Sequence, residues 1–366
     1  MSSFNVVFLS SWFGNPYKDL LIDHLAAQQI QVTEQVRRLW FLPQVLKVKN
    51  VRILHLQTLH YLFVSRNPLY YWLKFLVFIG QVYWLKLCGI KVVWTVHEWK
   101  DKNSDGVHDL SPRKSALLGQ ALDRIITHCE STRLEMCKTL ALMDKPEKTV
   151  VVPHGSYIGY YPNTLDSAIA RKQLDIPAEN VAFLLFGGIH ANKGALDAIA
   201  AFKALNHPQT TLIIAGEPNS EPLRQTLRAE ANTCSRLLFV DPDGPIPDED
   251  VQLYLNACDV VLLPYRVFTT SGVALLAMSF ERPCIAPAQG FFCDTFDHHS
   301  AFLYDPSTGL LAAMQTAVAE KARLPKMGRH GRAIAEAASW DVVAAKTAQV
   351  YRGLSATSVN RLGDLS

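Results

Sequence analysis

The chain has 366 residues, 36 Lys and Arg against 33 Asp and Glu, 49% hydrophobic and 19% charged. Such a balance excludes a disordered chain and a strongly basic nucleic-acid binder, and the length suggests two domains. Charge is unevenly placed: residues 1–160 hold 19 basic against 12 acidic residues, so the remainder is net negative.

In chain order, "FNVVFLS" (4–10) reads as a buried strand, and "PYKDLLIDHLAAQQI" (16–30) as the helix after it. "VRILHLQ" (51–57), "KVVWTVH" (91–97), "DRIITHC" (123–129) and "KTVVVPH" (148–154) are further apolar runs of strand length, separated by helical stretches including 112–122 and 131–142. Strands alternating with helices imply a parallel sheet covered on both faces. The stretch 155–180, with Gly, Pro and aromatic residues before a short amphipathic helix, reads as the domain linker.

The pattern then restarts with strands at 181–188, 210–217, 236–242, 259–265 and 283–287, and helices at 194–205, 219–231, 248–257 and 272–280. Two doubly wound α/β domains in sequence are expected, with ligands at the carboxyl ends of the strands. The tail after about residue 354 is small and polar and is expected to fray. Seven scattered cysteines without Cys-x-x-Cys spacing read as reduced thiols. The N-terminus shows no basic, cleavable leader pattern.

Three strand ends carry candidate chemistry. "LPYRVFTTSGVALLAMSF" (263–280) is a buried strand, a hydroxyl-rich loop and a helix start. Free amides of Thr270, Ser271 and Gly272 can hold an anion there, although Ser271 also reads as an ordinary N-cap. "FGGIHANKGALDAIAAF" (186–202) places Gly188, His190 and Lys193 between a strand and a helix. Lys193 can supply a point charge to a phosphate or simply be a solvated loop lysine. "IAGEPNS" (214–220) ends a third strand with Gly216 and Glu217, a turn that can line a nucleoside pocket. No Gly-x-Gly-x-x-Gly follows any strand, which argues against a dehydrogenase.

Taken together, "SSWFGNPY", "WTVHEW", "VVPHG", "LLFGGIHANKG", "LIIAGEP", "LPYRVFTTSGVALLAMSFERPCIAP" and "SWDVVAAKTAQVYRGL" resemble, in order and spacing, the family-4-like GT-B glycosyltransferases, close to a bacterial polysaccharide subgroup. The resemblance covers about 5–350. It implies two Rossmann-like domains facing across a cleft: 1–160 binding the acceptor, 161–340 binding a nucleotide sugar, and 341–366 forming a closing helix and polar tail. It further implies hexosyl transfer from a UDP- or GDP-sugar to a glycan acceptor, lipid-linked in the favoured reading, with a retaining mechanism.

By the same resemblance Lys193 and His97 are the catalytic residues. Gly14, Gly188, His190, Lys193, Thr270, Ser271 and Gly272 hold the donor diphosphate. Gly216, Glu217 and Tyr265 take the nucleoside, and Trp12, Glu98 and His154 stand on the acceptor side. Strand alternation sends His97 and Glu98 to opposite faces, and a structural histidine is the alternative for His97. The sequence departs from many relatives at Phe268 and Leu276, where they carry glutamates, and at His190, where they carry an arginine that Arg266 could replace. The absent glutamates keep a catalytically inactive nucleotide-sugar binder as an alternative, and another two-domain nucleotide user, a sugar-nucleotide epimerase, is the second. "DPD" (241–243) and "DED" (248–250) are read as structural, so no metal and no cofactor is expected.

No acidic residue lies between Glu34 and Glu98, whereas nine Lys and Arg do, among many aromatic residues. "NPLYYWLKFLVFIGQVYWLKLCG" (67–89) is interrupted by Lys74 and Lys86, so it suits either a helix lying in a membrane interface or one buried between layers. The location expected is cytoplasmic, with peripheral contact on the inner face of the plasma membrane under the first of those readings. No nucleic-acid partner is expected.

Overall fold

The computed structural model describes residues 4–10, 16–59, 62–98, 110–307 and 309–363, with side chains to Ser355. The chain divides into two compact units, Met1–Gly155 with Ser339–Ser366, and Ser156–Ala338.

In the first unit, strands β1 (Asn5–Ser10), β2 (Gln31–Val36), β3 (Val51–Leu56), β4 (Lys91–Thr95), β5 (Arg124–Thr127) and β6 (Thr149–Val151) form one sheet in the order β2-β1-β3-β4-β5-β6. Every pairing is parallel. Helices α1 (Pro16–Ala27), α2 (Leu42–Leu46), α3 (Pro68–Leu87), α4 (Pro112–Ala121) and α5 (Glu130–Thr139) connect them. Alternation along the strands divides the core in two. Val7, Leu9, Leu54 and Trp94 share one cluster with Phe75, Phe78, Val82 and Leu85 of α3. Val6, Phe8, Ile53 and Val93 share the other with Leu21 and Leu25 of α1.

Sequence reading missed β2. Its residues, "QVTEQV", are mostly polar because this is an edge strand whose side chains are half-buried or exposed. The expected strand at 123–129 shortens to four residues, and His128 and Cys129 continue past it.

In the second unit β7 (Val181–Phe186), β8 (Thr210–Ala215), β9 (Leu237–Val240), β10 (Val260–Leu262), β11 (Cys284–Pro287) and β12 (Ala301–Tyr304) form a parallel sheet in the order β12-β11-β10-β7-β8-β9. Around it run α6 (Ser167–Gln173), α7 (Ala195–Leu205), α8 (Glu221–Asn232), α9 (Val251–Ala257), α10 (Gly272–Ser279), α11 (Phe291–Thr295), α12 (Leu310–Ala319) and α13 (Leu324–Ala337). Four-residue β12, bounded by polar Ser300 and Asp305, was also missed. The stretch read as a linker belongs to this unit from Ser156 onward, α6 included.

The last helix, α14 (Trp340–Gly363), returns to the first unit. Its Val343, Ala344, Ala348 and Tyr351 complete the cluster of Val6 and Phe8. Its backbone stays helical beyond residue 354, where the sequence suggested a frayed tail.

Candidate functional site

Numbered from its own first strand, the second sheet has the order 3-2-1-4-5-6, and the strand order reverses between β7 and β10. In open α/β sheets that reversal is where ligands bind, beyond the carboxyl ends of the strands. The loops carrying Gly188–Lys193 and Pro264–Gly272 begin there.

Backbone bonds tie the strand ends together. The amide of Arg266 donates to the Asn192 carbonyl at 2.8 Å, and Asn192 Nδ2 donates to the Val267 carbonyl at 2.8 Å. The amide of Ile189 donates to the Glu217 carbonyl at 2.8 Å, joining the β7 loop to the β8 loop. Two glycines permit this closeness. A Cβ on Gly194 (φ 69°) would sit 2.0 Å from the Pro264 carbonyl oxygen, and one on Gly216 (φ 147°) 2.0 Å from that of Gly187. Both positions therefore exclude a side chain by contact and by backbone conformation.

Lys193 ends a short 3-10 turn after β7, and its Nζ lies 3.8 Å from the centre of the Tyr265 ring. Ser271 caps α10, its Oγ accepting from the Ala274 amide at 3.2 Å. Among the described residues the amides of Thr270, Ser271 and Gly272 have no acceptor. Buried polar atoms at the same strand ends are also unpartnered there, namely Thr270 Oγ1, Asn192 Oδ1 and the Tyr265 hydroxyl. Buried polar groups are ordinarily bonded, so these three atoms, close in sequence to one lysine and one helix start, make this loop pair the candidate place for a polar ligand. A helix N-terminus and a lysine together suit a phosphate.

The structure reassigns some residues and places others. Ser271's hydroxyl serves as the cap, which leaves its amide for an anion. Arg266, considered as a stand-in for an arginine beside Lys193, is bound bidentately to Asp197 at 2.6 and 2.8 Å. His190 stands beside Gly188, whose Cβ position would be 3.4 Å from His190 Nε2. Glu217 is exposed, and Gly216 is buried. Phe268 packs 4.5 Å from Phe292, and Leu276 is buried, so the positions of the absent glutamates form apolar packing. Asp241 of "DPD" is engaged by Arg224 at 3.1 Å and Arg228 at 2.5 Å. Among the described residues no cluster of three or more His, Cys, Asp or Glu could hold a metal. Sequence reading missed Tyr157, whose hydroxyl lies 3.0 Å from where a Cβ on Gly272 would stand.

In the first unit His97 follows β4 and is 6% exposed. It belongs to a buried group with His55, His128 and His154, from the ends of β3, β5 and β6. His97 Nε2 donates to Gln57 Oε1 at 3.0 Å, and His128 Nε2 lies 3.4 Å from His97 Nδ1. His128 Nδ1 donates to the Val152 carbonyl at 2.9 Å, and His154 Nδ1 to that of Gly155 at 2.7 Å. His55 Nε2 donates to Thr95 Oγ1 at 2.7 Å and its Nδ1 accepts from the Tyr351 hydroxyl at 2.5 Å. Tyr17 of α1 stands edge-on to His97 and His128, with ring centres 4.6 and 5.4 Å away.

Burial holds all four imidazoles neutral at pH 7. It lowers His55 to about 3; burial and the His154 ring lower His128 to about 3; burial lowers His154 to about 4. Burial, followed by His128, His154 and His55, sets His97 well below 6.5. A neutral, oriented ring offers hydrogen bonds rather than charge. Glu98 is exposed beside it; both residues lie past the end of β4, so strand alternation does not set their directions. His55, Gln57 and His128 were missed, because one polar residue at each of several strand ends leaves no local motif. Gly14 and Trp12 lie outside the described residues.

Residues 180–323 match the family model described as "Glycosyl transferases group 1". The chain is 27% identical over 205 residues to the GDP-mannose:glycolipid 4-beta-D-mannosyltransferase of Xanthomonas campestris, covering 56% of this chain and 52% of that protein. It thus spans about half the length of that relative. It is 26% identical over 363 residues to the D-inositol 3-phosphate glycosyltransferase of Streptomyces scabiei, covering 92% and 75%. Among solved structures, sucrose-phosphate synthase from Thermosynechococcus elongatus superposes with a TM-score of 0.73 at 19% identity, covering 97% of this chain and all of that one. Anabaena HepE in complex with UDP and glucose superposes at 0.72 with 17% identity, covering 96% and 100%.

Proposed function

We propose that this chain, a GT-B protein whose residues 180–323 match the group 1 glycosyltransferases, moves a sugar from a nucleotide sugar to a glycan acceptor. The observation that carries this reading is the set of uncommitted groups at the β7/β10 reversal: the Lys193 ammonium, the amides of residues 270–272, and three orphaned polar atoms. In this reading a diphosphate fills that place. Lys193 and the α10 amides stabilise the charge that develops on the departing nucleotide, the electrostatic role that preorganised donors perform in a transition state.

The second unit then takes the donor, with Gly188 and His190 beside the diphosphate and Gly216, Glu217 and Tyr265 toward the nucleoside. The first unit takes the acceptor, with His97 as a neutral hydrogen-bonding group and Glu98, Trp12 and His154 as further acceptor-side candidates. The HepE complex holds UDP and glucose, and the Xanthomonas relative is named for GDP-mannose and a glycolipid, which supports a UDP- or GDP-sugar and a lipid-linked acceptor here. No metal is expected in this reading; Asp241 of "DPD" is engaged by Arg224 and Arg228. Retention of anomeric configuration is part of the same reading; the β-linkage in the Xanthomonas relative's name makes the product anomer worth determining alongside it.

No helix among the described residues is long and apolar enough to cross a membrane. We place the reaction at the cytoplasmic face of the membrane by peripheral contact. A panel of UDP-, GDP- and ADP-sugars, incubated with the protein, membrane extract and a metal chelator, tests the function by nucleotide release. Release from one donor that requires the extract supports transfer; nucleotide binding without release from any donor indicates an inactive binder, and sugar exchange without acceptor an epimerase.

A further inference from the structure

Helix α3 is apolar all round, a composition that ordinarily marks a fully buried helix. Only one side of it is buried. Tyr71, Phe75, Phe78, Val82 and Leu85 pack on the sheet, while Leu69, Leu73, Leu76, Tyr83, Trp84 and Leu87 are exposed along the other side. At helical spacing those six fall on one continuous stripe, with Gly80 at its middle. Leu69 and Leu87, at its two ends, are 80% and 85% exposed. Trp40, 63% exposed, extends the patch, because Gln81 of α3 donates to the Leu39 carbonyl and accepts from the Leu42 amide.

The helix is firmly made without a partner on that side. Asn67 caps its start, accepting from the amides of Leu69 and Tyr70 at 3.0 and 3.1 Å. Gly89 closes its end at φ 78°, with the Gly89 amide on Lys86 and the Ile90 amide on Leu85. Lys74 flanks the stripe with its ammonium 5.5 Å from the centre of the Tyr70 ring, and Arg66 is exposed just before the helix; Lys86, 5.7 Å from the Tyr83 ring, is held by the Ala121 carbonyl at 2.8 Å and the Asp123 carboxylate at 3.5 Å. No acidic side chain occurs from residue 35 to residue 97.

We propose that the exposed stripe of α3, with Trp40, is the face by which the first unit lies on an anionic lipid bilayer. An apolar stripe edged by aromatic rings and by Lys74 and Arg66 matches the interface of a membrane, where rings and alkyl stems enter the acyl boundary and cationic heads meet lipid phosphates. Charge decides among occupants. A second copy of the same stripe would bring Lys74 and Arg66 toward like charges, with no carboxylate on the stripe to meet them, whereas an anionic surface complements them. The proposal deepens the peripheral contact in the functional reading and rests on that reading for its purpose, but bilayer binding needs no turnover.

The test uses the full chain and sedimentation with phosphatidylcholine vesicles, with and without phosphatidylglycerol. Wild type is expected to bind the anionic vesicles, and to be released by salt. Gly80→Glu is the informative variant, because a Cβ there meets nothing within 4 Å and the fold is undisturbed. It is expected to weaken partition at least about tenfold, since it sets a carboxylate in the inserted stripe. Lys74→Gln and Arg66→Gln are each expected to cost about fivefold. Nucleotide binding by the second unit should be unchanged in all three, which separates this proposal from the catalytic one. Failure of wild type to bind anionic vesicles, equal binding to neutral vesicles, or indifference to Gly80→Glu would overturn it. So would a dimer in light scattering that Gly80→Glu dissolves without vesicle binding.

Discussion

Lys193 Nζ lies 3.8 Å from the centre of the Tyr265 ring, and it has no carboxylate partner among the described residues. Its neighbour across the same loops, Arg266, is instead neutralised by Asp197. The two cations thus have different fates: one is structural, and one stands beside unbonded amides at the start of α10. A ring face beneath an ammonium steadies it without cancelling its charge. That leaves Lys193 available to an anion.

Thr270 and Ser271 separate binding from stability. Thr270 Oγ1 is buried without a partner, so Thr270→Val should leave the unfolding midpoint unchanged or raise it while weakening nucleotide affinity. Ser271→Ala removes a cap bond and should cost about 1 kcal/mol of stability, with Ser271→Gly costing only a few tenths. Denaturant unfolding and nucleotide titration of the three variants check this. If Thr270→Val binds nucleotide as wild type does, its hydroxyl faces no ligand.

Gly194→Ala should damage the site through its frame. The new methyl would meet the Pro264 carbonyl at 2.0 Å in a left-handed backbone conformation, for a cost of about 2 kcal/mol or more. Gly353→Ala in α14, where nothing lies within 4 Å, is the control and should stabilise slightly. Thermal unfolding of both variants decides it; equal midpoints would mean the β7 and β10 ends can separate freely.

The four buried histidines predict a pH dependence of the first unit. Their folded pKa values lie below the unfolded value near 6.5, so the unfolded chain binds protons that the fold excludes. Their contribution is therefore fully present above about pH 6.5 and is lost as pH falls toward about 4 for His154 and about 3 for His55 and His128. Each can contribute up to about 1.4 kcal/mol per pH unit in that window. Urea midpoints should fall steeply between pH 6 and 5, and His128→Gln should flatten the fall. A midpoint independent of pH across the window would show that the cluster opens to water.

Much of this was legible before folding. Continuous Val, Ile, Leu and Phe runs of this length read as strands buried on both faces, which is why ten of the twelve strands were read in order while polar β2 and short β12 were not. Lys193 and residues 270–272 could be singled out because strand, loop and helix start are contiguous in sequence. Of the histidine group only His97 and His154 were singled out, and not as a group, because Gln57, His97, His128 and His154 meet only through sheet order. The window at 67–89 was read as either buried or membrane-facing; α3 buries one side and exposes the other, since both sides carry the same residue types.

The most direct test of the central claim compares nucleotide release by wild type and Lys193→Ala from the donor that wild type uses, alongside affinity for that nucleotide. Loss of about a hundredfold or more in kcat, with binding largely kept, is the result expected if Lys193 stabilises the departing nucleotide. Release at the wild-type rate would contradict the account and move the reacting diphosphate away from the β7/β10 reversal.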